Sequence, residues 1–118
     1  MYIHSNTKKY ILKCKVREGI NEDTKEYITP GFILKNDFYV NIENHCKLIG
    51  IPNHTDLKGL KLISIQEKKD EYIKFIFDTK VVIEIDMTES GYEGPEALLI
   101  GNYKEHYLDV IRGDEWID

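Results

Sequence analysis

The stretch from Tyr72 to Met87 constrains the fold of this chain more than any other. Tyr72-Ile73-Lys74-Phe75-Ile76-Phe77 is rich in β-branched and aromatic residues, turns at Asp78-Thr79-Lys80, and returns as Val81-Val82-Ile83-Glu84-Ile85-Asp86-Met87. Two such runs joined by a short polar turn read as an antiparallel hairpin. Side chains alternate across a strand, so Ile73, Phe75 and Phe77 share one face, as do Val81, Ile83, Ile85 and Met87. Glu84 and Asp86 then lie two apart on the opposite face, beside Val82.

The same period of two recurs elsewhere. In Tyr10-Ile11-Leu12-Lys13-Cys14-Lys15-Val16-Arg17, one side carries Tyr10, Leu12, Cys14 and Val16 and the other Lys13, Lys15 and Arg17, which predicts a half-buried strand. Leu60 to Gln66 predicts another, and Ala97-Leu98-Leu99-Ile100 and Tyr107-Leu108-Asp109-Val110-Ile111 predict two short ones. Pro30-Gly31 interrupts the apolar run from Tyr27 to Leu34. Proline cannot donate to a sheet ladder, so this run is an edge strand, a bulged strand or two pieces. The best helical pattern lies at residues 37–49, where Phe38, Ile42, Cys46 and Ile49 form one stripe. Asn36 or Asp37 can cap its start, and Gly50 followed by Pro52 can stop it. A strand through Phe38 to Ile42 is the rival, and the stripe's continuation past Ile42 favours the helix. The expectation is one α+β domain over 1–118, an antiparallel meander with one main helix at about 37–49 packed on it.

Composition removes several function classes. No apolar run approaches the ~20 residues needed to cross a bilayer, and residues 1–9 hold no apolar stretch of signal-peptide length. A cytoplasmic protein with no membrane partner is expected. Cys14 and Cys46 have no pairing or metal-type spacing, and His4, His45, His54 and His106 are scattered. There is no phosphate-binding glycine loop and no nucleophile elbow. No catalytic residue, metal ligand or cofactor is therefore expected. The net charge of −5 speaks against nucleic acid as a partner. Charge is also unevenly spread, with residues 84–118 carrying −8 and residues 1–83 carrying +3. Such asymmetry suits an acidic face that attracts a basic partner, although a merely solvated face has the same composition.

Beyond the hairpin, Thr88-Glu89-Ser90-Gly91-Tyr92-Glu93-Gly94-Pro95-Glu96-Ala97 is a loop crowded with carboxylates around one tyrosine. A tyrosine beside carboxylates is common in binding surfaces, and equally common as a corner residue packed on a sheet edge. The strand ending Ile83-Glu84-Ile85-Asp86-Met87, followed by Tyr92-Glu93-Gly94-Pro95-Glu96-Ala97, resembles small bacterial immunity proteins of polymorphic and contact-dependent toxin systems. Leu57 to Ile65 is similar in style to their first sheet strand, so the resemblance spans roughly residues 57–100. It implies a non-catalytic protein that binds a cognate toxin domain, a nuclease above all, and occludes its active site. Glu84, Asp86, Glu89, Tyr92, Glu93 and Glu96 are the expected partner-binding residues. Two other classes stay open. A small hydrolase or isomerase would use the Glu84/Asp86 face and need carboxylates of raised pKa in a pocket. A self-associating sheet protein would expose an apolar strand edge.

Overall fold

Alternation of buried and half-buried side chains organises the molecule, and the computed structural model describes residues 2–21 and 29–113. Among these are one α-helix, α1 (Ser5–Ile11), and nine strands: β1 (Val16–Ile20), β2 (Gly31–Leu34), β3 (Phe38–Ile42), β4 (Cys46–Ile49), β5 (Leu62–Lys68), β6 (Tyr72–Phe77), β7 (Val82–Asp86), β8 (Glu96–Asn102) and β9 (Tyr107–Arg112). The fold is α+β, with every strand pair antiparallel. A five-stranded sheet has the order β1-β2-β3-β8-β9 and a four-stranded sheet the order β4-β7-β6-β5. The β6–β7 hairpin forms as its alternation predicts, with Phe75 opposite Ile83 and Lys74 opposite Glu84. Both sheets turn their apolar faces inward. Phe32 of the first meets Phe75 and Phe77 of the second edge-on, at centroid distances of 5.5 and 5.3 Å.

The sheets are joined at two corners. Lys13 N donates to Leu62 O (2.6 Å), Leu62 N to Cys14 O (3.0 Å) and Val16 N to Leu60 O (2.7 Å), so the chain entering β1 runs beside the start of β5. At the other corner one chain serves both sheets, since β3 passes through Glu43-Asn44-His45 into β4. There Glu43 N and Asn44 N both donate to Ala97 O, and Asp86 N donates to His45 O. Asn44, only 3% exposed, ties this bend down by donating from Nδ2 to Asp86 O at 2.8 Å. Leu57, in a 3-10 turn at His54–Leu57, is fully buried below β1. Gly19 makes this close approach possible, because a Cβ there would sit 1.6 Å from His54 O.

Two expectations from the sequence need correction. Residues 37–49 are not a helix but β3, the bend and β4. Phe38, Val40 and Ile42 are buried while Tyr39 and Asn41 are half-buried, a period of two that outweighs the helical stripe. Positions four apart lie on one face in either structure, so Phe38 and Ile42 fit both patterns, while aromatic and β-branched neighbours favour the pleated one. Asp37 adopts φ 71° in the β2–β3 turn and Gly50 adopts φ 98° after β4, so both presumed caps serve turns instead. Residues 10–17 are likewise not one strand. Helix α1 ends at Ile11, Lys13 takes φ 67°, and β1 starts at Val16. The helical stripe there runs through Thr7 and Ile11, and a fully buried threonine disguised it.

Helix α1 spans the side where β5 and β9, outer strands of the two sheets, would otherwise stand open. Glu67 Oε2 on β5 accepts from Tyr2 N and Ile3 N, each at 2.8 Å, and its Oε1 pairs with Lys8 Nζ. Asp109 Oδ2 on β9 accepts from His4 N (3.0 Å) and Thr7 Oγ1 (2.8 Å), and Thr7 also bonds the Tyr107 hydroxyl. Covering exposed strands in this way protects a sheet from pairing with other chains. Residues 22–28, including Tyr27 and Ile28 of the expected apolar run, and residues 114–118 lie outside the described residues.

Candidate functional site

The six residues expected to bind a partner do not share one face, since Glu84 lies mid-strand in one sheet and Glu96 opens a strand of the other. Glu84 projects from the outer face of the second sheet, in register with Lys74 on β6 and Lys47 on β4. Its carboxylate pairs with Lys74 Nζ at 3.4 Å. Glu84 therefore sits in a row of alternating charge. Asp86 is half-buried, and its Oδ1 accepts from Thr88 N (2.8 Å) and Thr88 Oγ1 (2.5 Å), which fastens the turn leaving β7. Such side-chain-to-backbone bonds two residues on are the usual work of aspartate at a turn. A groove of about 410 Å³ runs along this outer face, lined by Lys47, Tyr72, Glu84, Asp86, Glu71 and His45 among others.

The remaining acids lie beyond the turn. Glu89 is exposed in a 3-10 turn at Glu89–Gly91. Glu93 is 68% exposed, and its carboxylate lies 3.3 Å from His45 Nε2. Glu96 opens β8 in the other sheet, opposite Arg112 with a contact of 3.6 Å. Tyr92 is half-buried against the hydrophobic core, with Gly113 beneath its ring, where a Cβ would lie 3.0 Å from the ring carbons. Its ring acts as a corner residue of the core, the second of the two roles open to it from the sequence.

One acidic residue was not legible in the chain. Glu43, in the bend between β3 and β4, is half-buried beside Glu93 and Glu96. Burial raises its carboxyl pKa above the usual range, and the charges of Glu96 and Glu93 raise it further. Glu43 is ~50 residues from these partners, and only the pairing of β3 with β8 brings them together. A cavity of about 160 Å³ lies beside this group, lined by Glu43, Asn44, His45 and Glu93 with Thr29, Pro30, Ile42 and Cys46. Among the described residues, no set of three or more His, Cys, Asp or Glu side chains converges to hold a metal ion. Cys14 and Cys46 form no disulfide with each other. No helix of the described residues is long and apolar enough to cross a membrane.

No protein-family model, no curated protein and no solved structure matches this chain.

Proposed function

We propose that this protein is a cytoplasmic immunity protein, without catalytic activity, that binds a basic toxin domain through its acidic end and covers the toxin's active site. The observation that carries this reading is the convergence of Glu43, Glu93 and Glu96, where burial first, and then the charges of Glu96 and Glu93, raise the pKa of Glu43. Carboxylates gathered in this way favour a positively charged partner, which lowers their repulsion on binding. A nuclease must attract phosphate, so its cleft is basic, and an acidic surface both steers association and replaces the substrate's charge. The alternating charges around Glu84 and the turn-fastening role of Asp86 give those two a supporting part at the rim. Tyr92 holds the loop that presents Glu93 in shape rather than inserting into the partner.

The test is binding to the toxin domain encoded next to this protein's gene, measured at two salt concentrations. Replacing Glu43, Glu93 and Glu96 with lysine should slow association about 10-fold or more at low salt and flatten its salt dependence, with dissociation changed less. An unchanged association rate for the folded variant would refute the acidic end as the binding surface.

A further inference from the structure

Across β2, β3, β8 and β9 the outer face of the five-stranded sheet is mostly apolar, with exposed Glu18 of β1 opposite Ile33 at its edge. In its register Ile33 of β2 lies opposite Tyr39 of β3, Tyr39 opposite Gly101 of β8, and Gly101 opposite Leu108 of β9. The next row on the same face holds Asn41, Leu99 and Val110. Tyr39 lies flat over Gly101, where a Cβ would fall 2.4 Å from its hydroxyl, and Tyr103 stacks on it at 4.7 Å. Tyr103 and Leu108 are each 59% exposed. An apolar sheet face of this kind marks an interaction surface.

The ends of the face carry opposite charge. At the β2–β3 turn, Arg17 and Lys104 share the single carboxylate of Asp37, at 3.0 and 3.4 Å. Beyond the opposite ends of the strands, Glu43, Glu93 and Glu96 gather, with Arg112 beside Glu96 and His45 beside Glu93. A two-fold axis lying in the plane of the interface, parallel to the apolar rows and perpendicular to the strands, sets the cationic end of one copy against the acidic end of the other. A closed two-fold dimer requires a self-complementary patch of this form.

We propose that this face is the interface of a two-fold homodimer, with apolar rows at its centre and the Arg17/Lys104 end of each copy against the Glu43/Glu93/Glu96 end of its partner. The inference does not rest on the toxin-binding reading. Because the two share the acidic end, a toxin domain and a second copy would exclude one another. Four strands about 4.8 Å apart and some 20 Å long make a patch of a few hundred Å² per copy, at the low end for protein interfaces, so the dimer is weak, in the ~10–100 μM range.

Sedimentation velocity on the purified chain from ~5 to ~500 μM tests this without any toxin. The expected result is a concentration-dependent shift to twice the monomer mass, abolished by Leu108→Asp at an unchanged melting temperature. A charge-swap pair makes the test specific. Arg17→Glu/Lys104→Glu and Glu93→Lys/Glu96→Lys should each self-associate at least 10-fold more weakly than the parent. An equimolar mixture of the two should recover dimerisation, because one end contact is then restored with reversed sign and the other keeps the parental signs. A parent chain that stays monomeric at ~500 μM, self-association indifferent to Leu108→Asp, or a mixture no better than its components would each overturn the proposal.

Discussion

Glu67 is the residue whose removal tests most directly how the helix closes the fold. Its side chain is 6% exposed, and it holds two backbone N–H groups, those of Tyr2 and Ile3, together with Lys8. Tyr2 and Ile3 are themselves 7% and 1% exposed, so water cannot replace the lost acceptor. A hydrogen bond to a charged group contributes about 1.5–3 kcal/mol, against ~0.5–1.5 for a neutral one. Glu67→Gln keeps the shape and one acceptor but weakens both bonds and the Lys8 pair, so a loss of about 2 kcal/mol is expected. Glu67→Ala leaves two buried donors unsatisfied at ~1–3 kcal/mol each, so about 4 kcal/mol is expected. Lys8 is 21% exposed and can turn to water, so Lys8→Met should cost only about 1 kcal/mol. For a domain with ~5–15 kcal/mol of total stability the Ala variant is near the limit of folding. Urea unfolding followed by circular dichroism at pH 7 measures all three, and hydrogen exchange at α1 amides shows whether the loss is local. If Glu67→Ala stays within about 0.5 kcal/mol of the parent, the N-terminal segment is not held by this carboxylate and the account of the closed side is wrong.

Gly19→Ala should destabilise by more than about 2 kcal/mol, read by urea unfolding, because the new methyl meets the His54 carbonyl and both backbones must move apart. Tyr92→Ala should lower the melting temperature as well as any partner affinity, by about 2–4 kcal/mol of folding stability, since its ring packs on the core; an unchanged melting curve would mean that the ring is a surface group. Glu43→Gln should stabilise the protein slightly at pH 7, by less than about 1 kcal/mol after solvent screening. The folded pKa of Glu43 lies above its ordinary value, so its ionised form opposes folding, and this penalty disappears as the pH falls through the raised pKa. Urea titrations at pH 7 and near pH 4 should therefore show the benefit of Glu43→Gln shrinking towards the acidic condition, and a benefit that grows there would contradict the sign.

Local pattern alone determined the hairpin of β6 and β7 and the strands β5, β8 and β9. In β6 and β7 side chains alternate between one buried and one half-buried face, so a period of two is written directly into the residues. The acidic loop from Glu89 to Glu96 was equally legible, but only as a stretch of chain. What the chain could not show is which elements meet. The segment 37–49 carries both periods at once, and the choice fell to strand because β2 and β8 flank β3 and β7 receives β4. Helix α1 depends on Glu67 and Asp109, which lie more than 55 and 95 residues further along the chain and neutralise polar groups that a short helix cannot satisfy alone. The acidic group has the same origin. Glu43 joins Glu93 and Glu96 only because β3 pairs with β8, whereas Glu84 and Asp86, neighbours in sequence to that loop, are directed by strand register to the other sheet's outer face. Sequence spacing sets which side of a strand a residue occupies, but pairing between distant strands sets what it faces, and that depends on burying both sheets' apolar sides against each other.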